Sequence, residues 1–220
     1  MMSEDSLHRL REVMDRLRSP GGCPWDREQD HRSLTRYLLE ESYEFIDAIE
    51  RGDRDEIIEE LGDLLLQVFF HARIGEERSD DPFDIDVVAE AVARKLVSRH
   101  PHVFTDDPDA AVDSADQVLR NWERIKNVEK SRDDIFDGVP TGQPSLSLAT
   151  KYVQRALKNE KPLPSRDLPR GDEVDPTTIG LALLALIRVA VENGIDPESE
   201  LRKATFDYAE SIDRSVDHGG

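Results

Sequence analysis

Glu41 and Glu44, then Glu60 and Asp63, form two acidic pairs placed symmetrically about Gly52. Residues three apart on a helix share a face. If the stretches flanking Arg51-Gly52-Asp53 are antiparallel helices, positions equally far from the turn meet, so Glu44 levels with Glu60 and Glu41 with Asp63. The hairpin then brings all these carboxylates to one place. Like charges held that close repel, and burying them unpaired is costly, so a fold that keeps such a cluster neutralises it with cations. With oxygen ligands only, the cation expected is a hard divalent metal, Mg²⁺ foremost, with Mn²⁺ as a substitute. The plainer alternative is a solvated acidic helix face. Against it stand Leu38, Leu39, Phe45, Ile46 and Ile49 on one side of the turn, and Leu61, Leu64, Leu65, Val68 and Phe69 on the other. These are the apolar stripes of two packed helices, and they turn part of the acidic cluster inward.

The rest of the chain is patterned as helix. Leu7, Leu10, Val13, Met14 and Leu17 recur at helical spacing and stop at Ser19-Pro20-Gly21-Gly22. Cys23-Pro24-Trp25-Asp26 reads as an ordered loop. Ser33 is the expected N-cap of a helix through Ile49, and Asp53 that of a helix from Arg54 to Ile74. Further helices are expected over Ile85–Arg99, ending at His100-Pro101-His102-Val103-Phe104, and over Ala115–Lys130. Strand signals are nearly absent, so the fold class is all-α, a helical bundle.

Composition narrows the partners. The 48 acidic and 29 basic residues give a formal net charge of −19, which opposes nonspecific binding to nucleic acid polymers or anionic membranes. A small phosphorylated ligand stays possible, because a bound metal inverts the local field. Cys23 is the single cysteine, so no internal disulfide forms. The best apolar run, Ile179–Val191, contains Arg188 and is too short to span a bilayer. A cytoplasmic location is the expectation.

Four segments together resemble the MazG family of nucleoside triphosphate pyrophosphohydrolases: Gly22-Cys23-Pro24-Trp25-Asp26, Tyr37-Leu38-Leu39-Glu40-Glu41-Ser42-Tyr43-Glu44, Glu60-Leu61-Gly62-Asp63-Leu64-Leu65 and Arg99-His100-Pro101-His102-Val103-Phe104. The resemblance covers about residues 5 to 130. It implies a four-helix-bundle-type domain, usually completed by dimerisation. It also implies Mg²⁺ held by Glu41, Glu44, Glu60 and Asp63, and hydrolysis of nucleoside triphosphates to monophosphate and pyrophosphate. Glu40 or Glu41 is the expected proton acceptor. Because neighbours on a helix point about 100° apart, only one of the two faces the metal squarely. Lys95 and Arg99, and Trp122 and Lys126, are pairs four residues apart at positions where the resemblance implies contact with phosphate and nucleotide. Trp25, in its Pro-bounded loop, joins them as a candidate. For the cations the plainer role is placement near a helix C-terminus, and for the two tryptophans a core or interface aromatic.

Several other signals carry less. Glu28-x-x-His31 has the spacing of a di-iron ligand pair but occurs in one copy. Cys23 has no catalytic context, His100 and His102 shape a turn, and there is no Walker loop. The last third reads as a degenerate second copy. Ile179-Gly180-Leu181 echoes Leu61-Gly62-Asp63, with Thr178 and Leu181 where the first copy has Glu60 and Asp63, and Asp207 and Ser211 where it has Lys95 and Arg99. The expected organisation is a catalytic domain over 1–140, a connecting segment with a Pro-rich linker over 141–177, and a degenerate helical unit over 178–220. Two other functions compete with the leading one. One is a related all-α hydrolase of phosphoribosyl-ATP or dUTP type, and the other a non-catalytic metal-bound interaction protein.

Overall fold

The computed structural model describes residues 3–106, 112–130, 134–168 and 175–216. Among them every regular element is an α-helix: α1 (Ser3–Arg18), α2 (Pro24–Glu28), α3 (Thr35–Arg51), α4 (Arg54–Glu76), α5 (Ile85–Arg99), α6 (Pro101–Phe104), α7 (Ala115–Lys130), α8 (Ser145–Lys158), α9 (Pro176–Glu192) and α10 (Pro197–Val216). The all-α class expected from periodicity is the class observed. The chain divides into two compact units, Met1–Ile125 and Lys126–Gly220.

In the first unit α1, α3 and α5 all pack on α4, which gives the bundle its central helix. The core is Met14 of α1, Leu34 just before α3, and Phe69, Phe70 and Ile74 of α4, with Leu10, Leu17, Tyr37, Leu66 and Ile85 around them. Of the expected α1 stripe, Leu7 and Val13 are exposed and only the Leu10, Met14, Leu17 edge reaches the core. Asp53 caps α4 as expected, accepting hydrogen bonds from the backbone N–H groups of Asp55 and Glu56. Gly52 ends α3 at φ 74°, a left-handed position that a side chain would strain. Asp84 caps α5 through the Val87 N–H and is ion-paired to Arg11 of α1 at 2.9 Å.

Two expectations fail locally. Ser33 does not cap α3, because its hydroxyl already serves the preceding turn, donating to Gln29 Oε1 at 2.8 Å and accepting from the Asp30 N–H at 3.0 Å. Leu34 takes the N-cap position without a side-chain bond, held by its own burial in the core. The Cys23-Pro24-Trp25-Asp26 segment is not a loop throughout, since Pro24 opens α2, a position where its missing N–H costs nothing.

Arg18 ties that segment down. Its side chain, 3% exposed, is bidentate to Glu77 at 2.9 and 2.7 Å and donates to the backbone carbonyls of Asp26 and Gln29. Removing the guanidinium strands those acceptors, so Arg18→Met is expected to lower stability by about 3 kcal/mol in chemical denaturation. Arg18 in turn holds the Glu77 carboxyl below the ordinary value of 4.5. A depressed carboxylate stabilises the fold above its unfolded value and loses that contribution as pH falls through the folded one. The stability gap between wild type and Glu77→Gln should therefore be flat near neutrality and close below about pH 4.5.

In the second unit α8 and α10 pack together and both contact α9. Thr150, Val153, Ala156, Ala185 and Ile187 are buried. Helix α8 lies in the span expected to be a connecting segment, and Arg155 fastens it to the Ile135 and Asp137 carbonyls at 2.7 Å each. Asp175 and Thr178 form a reciprocal capping box that starts α9. Among the described residues no single helix is long and apolar enough to cross a membrane.

Candidate metal centre

The turn at Gly52 makes α3 and α4 antiparallel neighbours, and their acidic pairs meet in the expected register. Oxygens of Glu41, Glu60 and Asp63, all half-buried, lie within 4.8 Å of one another. Among the described residues no second group of this kind occurs. The charges interact as the register requires. The Glu41 carboxyl is held above its ordinary range first by burial, then by the charges of Asp63 and Glu44 and a hydrogen bond with Glu44. Glu60 is raised by burial, then by Glu44 and Asp63. Glu44 itself is exposed and lies outside the tight group, yet it couples to both Glu41 and Glu60. Glu40, one residue around the helix, is exposed.

A divalent cation fits this donor set. The ligand atoms are carboxylate oxygens, close enough together to share one ion, and burial and then neighbouring negative charge raise Glu41 and Glu60, a cost that positive charge would offset.

The other candidate residues divide into three groups. Arg99, 8% exposed at the end of α5, lies with its guanidinium carbon 5.3 Å from the centroid of Trp122 on α7, and the His100 ring meets the same indole edge-on at 4.9 Å. Arg99 and Trp122 are thus neighbours. Lys95 is exposed on α5, and the side chain of Lys126 falls outside the described residues. Trp25, 48% exposed, packs edge-on against Tyr37 at 5.7 Å and Phe70 at 6.5 Å. His31 is not one of the residues of the acidic group. It stacks on His71, with the two Nδ1 atoms 2.8 Å apart.

One residue that periodicity did not mark stands out on α4. Gln67 is 5% exposed, and its Oε1 has no hydrogen-bond partner. The available signal was a lone amide inside the most apolar stretch of the helix, four residues after Asp63.

In the second unit Leu181, which the sequence reading sets against Asp63, is exposed, and the Thr178 hydroxyl is taken up by the α9 capping box.

Comparison with known proteins places the chain. The sequence profile of the MazG nucleotide pyrophosphohydrolase domain matches residues 29–104, which contain the whole acidic hairpin. A Streptomyces cacaoi protein known as an uncharacterized 26.1 kDa protein is 46% identical over 202 residues, covering 91% of this chain and 78% of that one. The nucleoside triphosphate pyrophosphohydrolase of Mycobacterium tuberculosis is 44% identical over 200 residues, covering 91% of this chain but 55% of its own length, so this chain spans about half of that relative. The Thermotoga maritima protein named nucleoside triphosphate pyrophosphohydrolase/pyrophosphatase MazG is 37% identical over 217 residues, covering 90% of this chain and 80% of that protein. With its acidic hairpin inside the matched profile and relatives aligned along most of its length, the chain belongs to the MazG family of nucleotide pyrophosphohydrolases.

Proposed function

We propose that this protein hydrolyses nucleoside triphosphates to nucleoside monophosphate and pyrophosphate, with Mg²⁺ as the physiological cofactor, in the service of removing unwanted nucleotides. The observation that carries this reading is the cluster of Glu41, Glu60 and Asp63 with Glu44 beside it. These residues would hold the cation, which when bound supplies positive charge against the phosphate oxygens and the departing pyrophosphate. The protein's own task is to orient and to move a proton. Water adds to the α-phosphorus, the bond to the bridging oxygen of the β-phosphate breaks, and a carboxylate takes the proton of the water. Glu41 or its neighbour Glu40 takes that role, whichever of the two is not fully used in holding the cation.

Arg99, Lys95 and Lys126 supply cations for phosphate not met by metal, and Trp122 and Trp25 supply faces for the nucleoside. The net charge of −19 keeps polymeric nucleic acid and anionic membrane away, consistent with a cytoplasmic enzyme. Homodimerisation belongs to the same reading, because Ile58, Leu61, Leu65 and Val68 form an exposed apolar stripe along α4.

A pyrophosphate-release screen across nucleotides, with and without Mg²⁺, tests the activity. Hydrolysis in ¹⁸O-labelled water tests the bond. The label is expected in the monophosphate, whereas label in orthophosphate with a nucleoside diphosphate product would mean attack at the γ-phosphorus and would overturn the assignment.

A further inference from the structure

We propose that Gln67 is a specificity-determining residue, whose side-chain carbonyl accepts a hydrogen bond from an N–H of the nucleobase. The inference rests on the triphosphate reading above and adds to it the part of the site that faces the base. A buried amide oxygen without a partner is a standing cost to the fold, and such an acceptor is explained if something that binds later satisfies it.

Its position says what arrives. At about 100° per residue, Glu60, Asp63, Gln67 and His71 fall within about 80° of arc on α4, so the acidic face continues into the amide. Gln67 lies one turn, about 6 Å, beyond Asp63, a spacing that a pentose bridges between phosphate and base. The register that sets Glu41 against Asp63 carries four residues further along each helix to set Tyr37 against Gln67. Tyr37 is the ring on which Trp25 packs, and Trp25 leaves half of its surface open. The face thus runs from carboxylates to an amide acceptor beside aromatic surface, in the order in which a nucleotide presents phosphate, sugar and base. The paired imidazoles of His31 and His71 stand one turn further on.

The test uses the full chain with Mg²⁺, the four ribonucleoside triphosphates and their deoxy counterparts, and compares wild type with Gln67→Leu, which replaces the amide by an apolar side chain of similar size. The expected result is a loss in kcat/KM of about tenfold or more concentrated on the base that wild type prefers, so that the ranking of bases flattens. The melting temperature without nucleotide should not fall, because the variant removes an unsatisfied acceptor. An equal loss on every base, a loss that follows ribose against deoxyribose, a wild type that ranks no base above another, or an unchanged ranking would each overturn the proposal. Binding of non-hydrolysable α,β-methylene triphosphates by calorimetry separates this from the activity itself. If wild type hydrolyses nothing, the functional reading fails, while base ranking in analogue binding, kept or lost in Gln67→Leu, still decides the role of Gln67.

Discussion

Asp63→Asn and Glu41→Gln are each expected to lower pyrophosphate release about a thousandfold or more while leaving helix content unchanged. Either change takes a donor from the group of oxygens within 4.8 Å, and losing a few kcal/mol of charge stabilisation in the transition state has an effect of that order. Stability moves the other way. Glu41 and Glu60 are held above the ordinary value of 4.5 in the folded state, so the metal-free fold binds more protons there than the unfolded chain does. Their burial as charged groups, with the repulsion among them, is therefore destabilising at neutral pH and is relieved as pH falls through the folded values toward 4.5. His71, depressed below 6.5 by burial and His31, has the opposite slope as pH falls past its unfolded value, so variant and wild type must be compared at each pH. Metal-free Glu41→Gln should melt no lower than wild type at pH 7 and should gain less on acidification. It should also lose most of the upward shift that Mg²⁺ gives the wild type. Near-normal turnover in either variant would mean that these carboxylates are not the ligands.

The hairpin was legible because two independent signals agreed on it. The acidic pairs and the apolar stripes both required antiparallel helices about Gly52, and the Asp53 cap confirmed where the second helix starts. What escaped was whatever depended on competition between partners. Ser33 has cap chemistry, but Gln29 and Asp30 reach its hydroxyl first. Helix α8 escaped differently, because Leu146, Ala149, Val153 and Ala156 do recur at helical spacing but stand just before the Pro-rich stretch and read with it as a connecting segment. The apolar positions flanking the acids were legible as stripes, whereas the side each would cover was not. Leu39, Ile49, Leu61 and Val68 are exposed while Phe69 and Phe70 are buried, because a hydrophobic stripe records that a face is covered without saying by what. Gln67 escaped for the same reason, since a lone amide in an apolar helix is unremarkable until its carbonyl is found without a partner.

The homodimer proposed above is expected to fall to monomers at micromolar concentration on the paired substitution Leu61→Glu with Leu65→Glu, its association weakened about a thousandfold or more. Ile58, Leu61, Leu65 and Val68 recur at three, four and three, the seam spacing of packed helices, and all are exposed. At about 100° per residue this seam centres nearly opposite the stripe of Glu60, Asp63 and Gln67 on the same helix, so the changes leave the carboxylate face untouched. In a two-fold dimer each substitution appears on both sides of the interface, so four carboxylates would be buried together. Light scattering and sedimentation read the assembly directly, and circular dichroism reports whether the monomer keeps its helices. A dimer that survives the double substitution would move the interface elsewhere, to the exposed Val92 and Leu96 edge of α5 or to the second unit. If the monomer forms with its helices intact and activity falls with it, the site depends on the partner copy. Full activity in the monomer would show that the α3 and α4 hairpin is sufficient for the chemistry and that the seam serves stability alone.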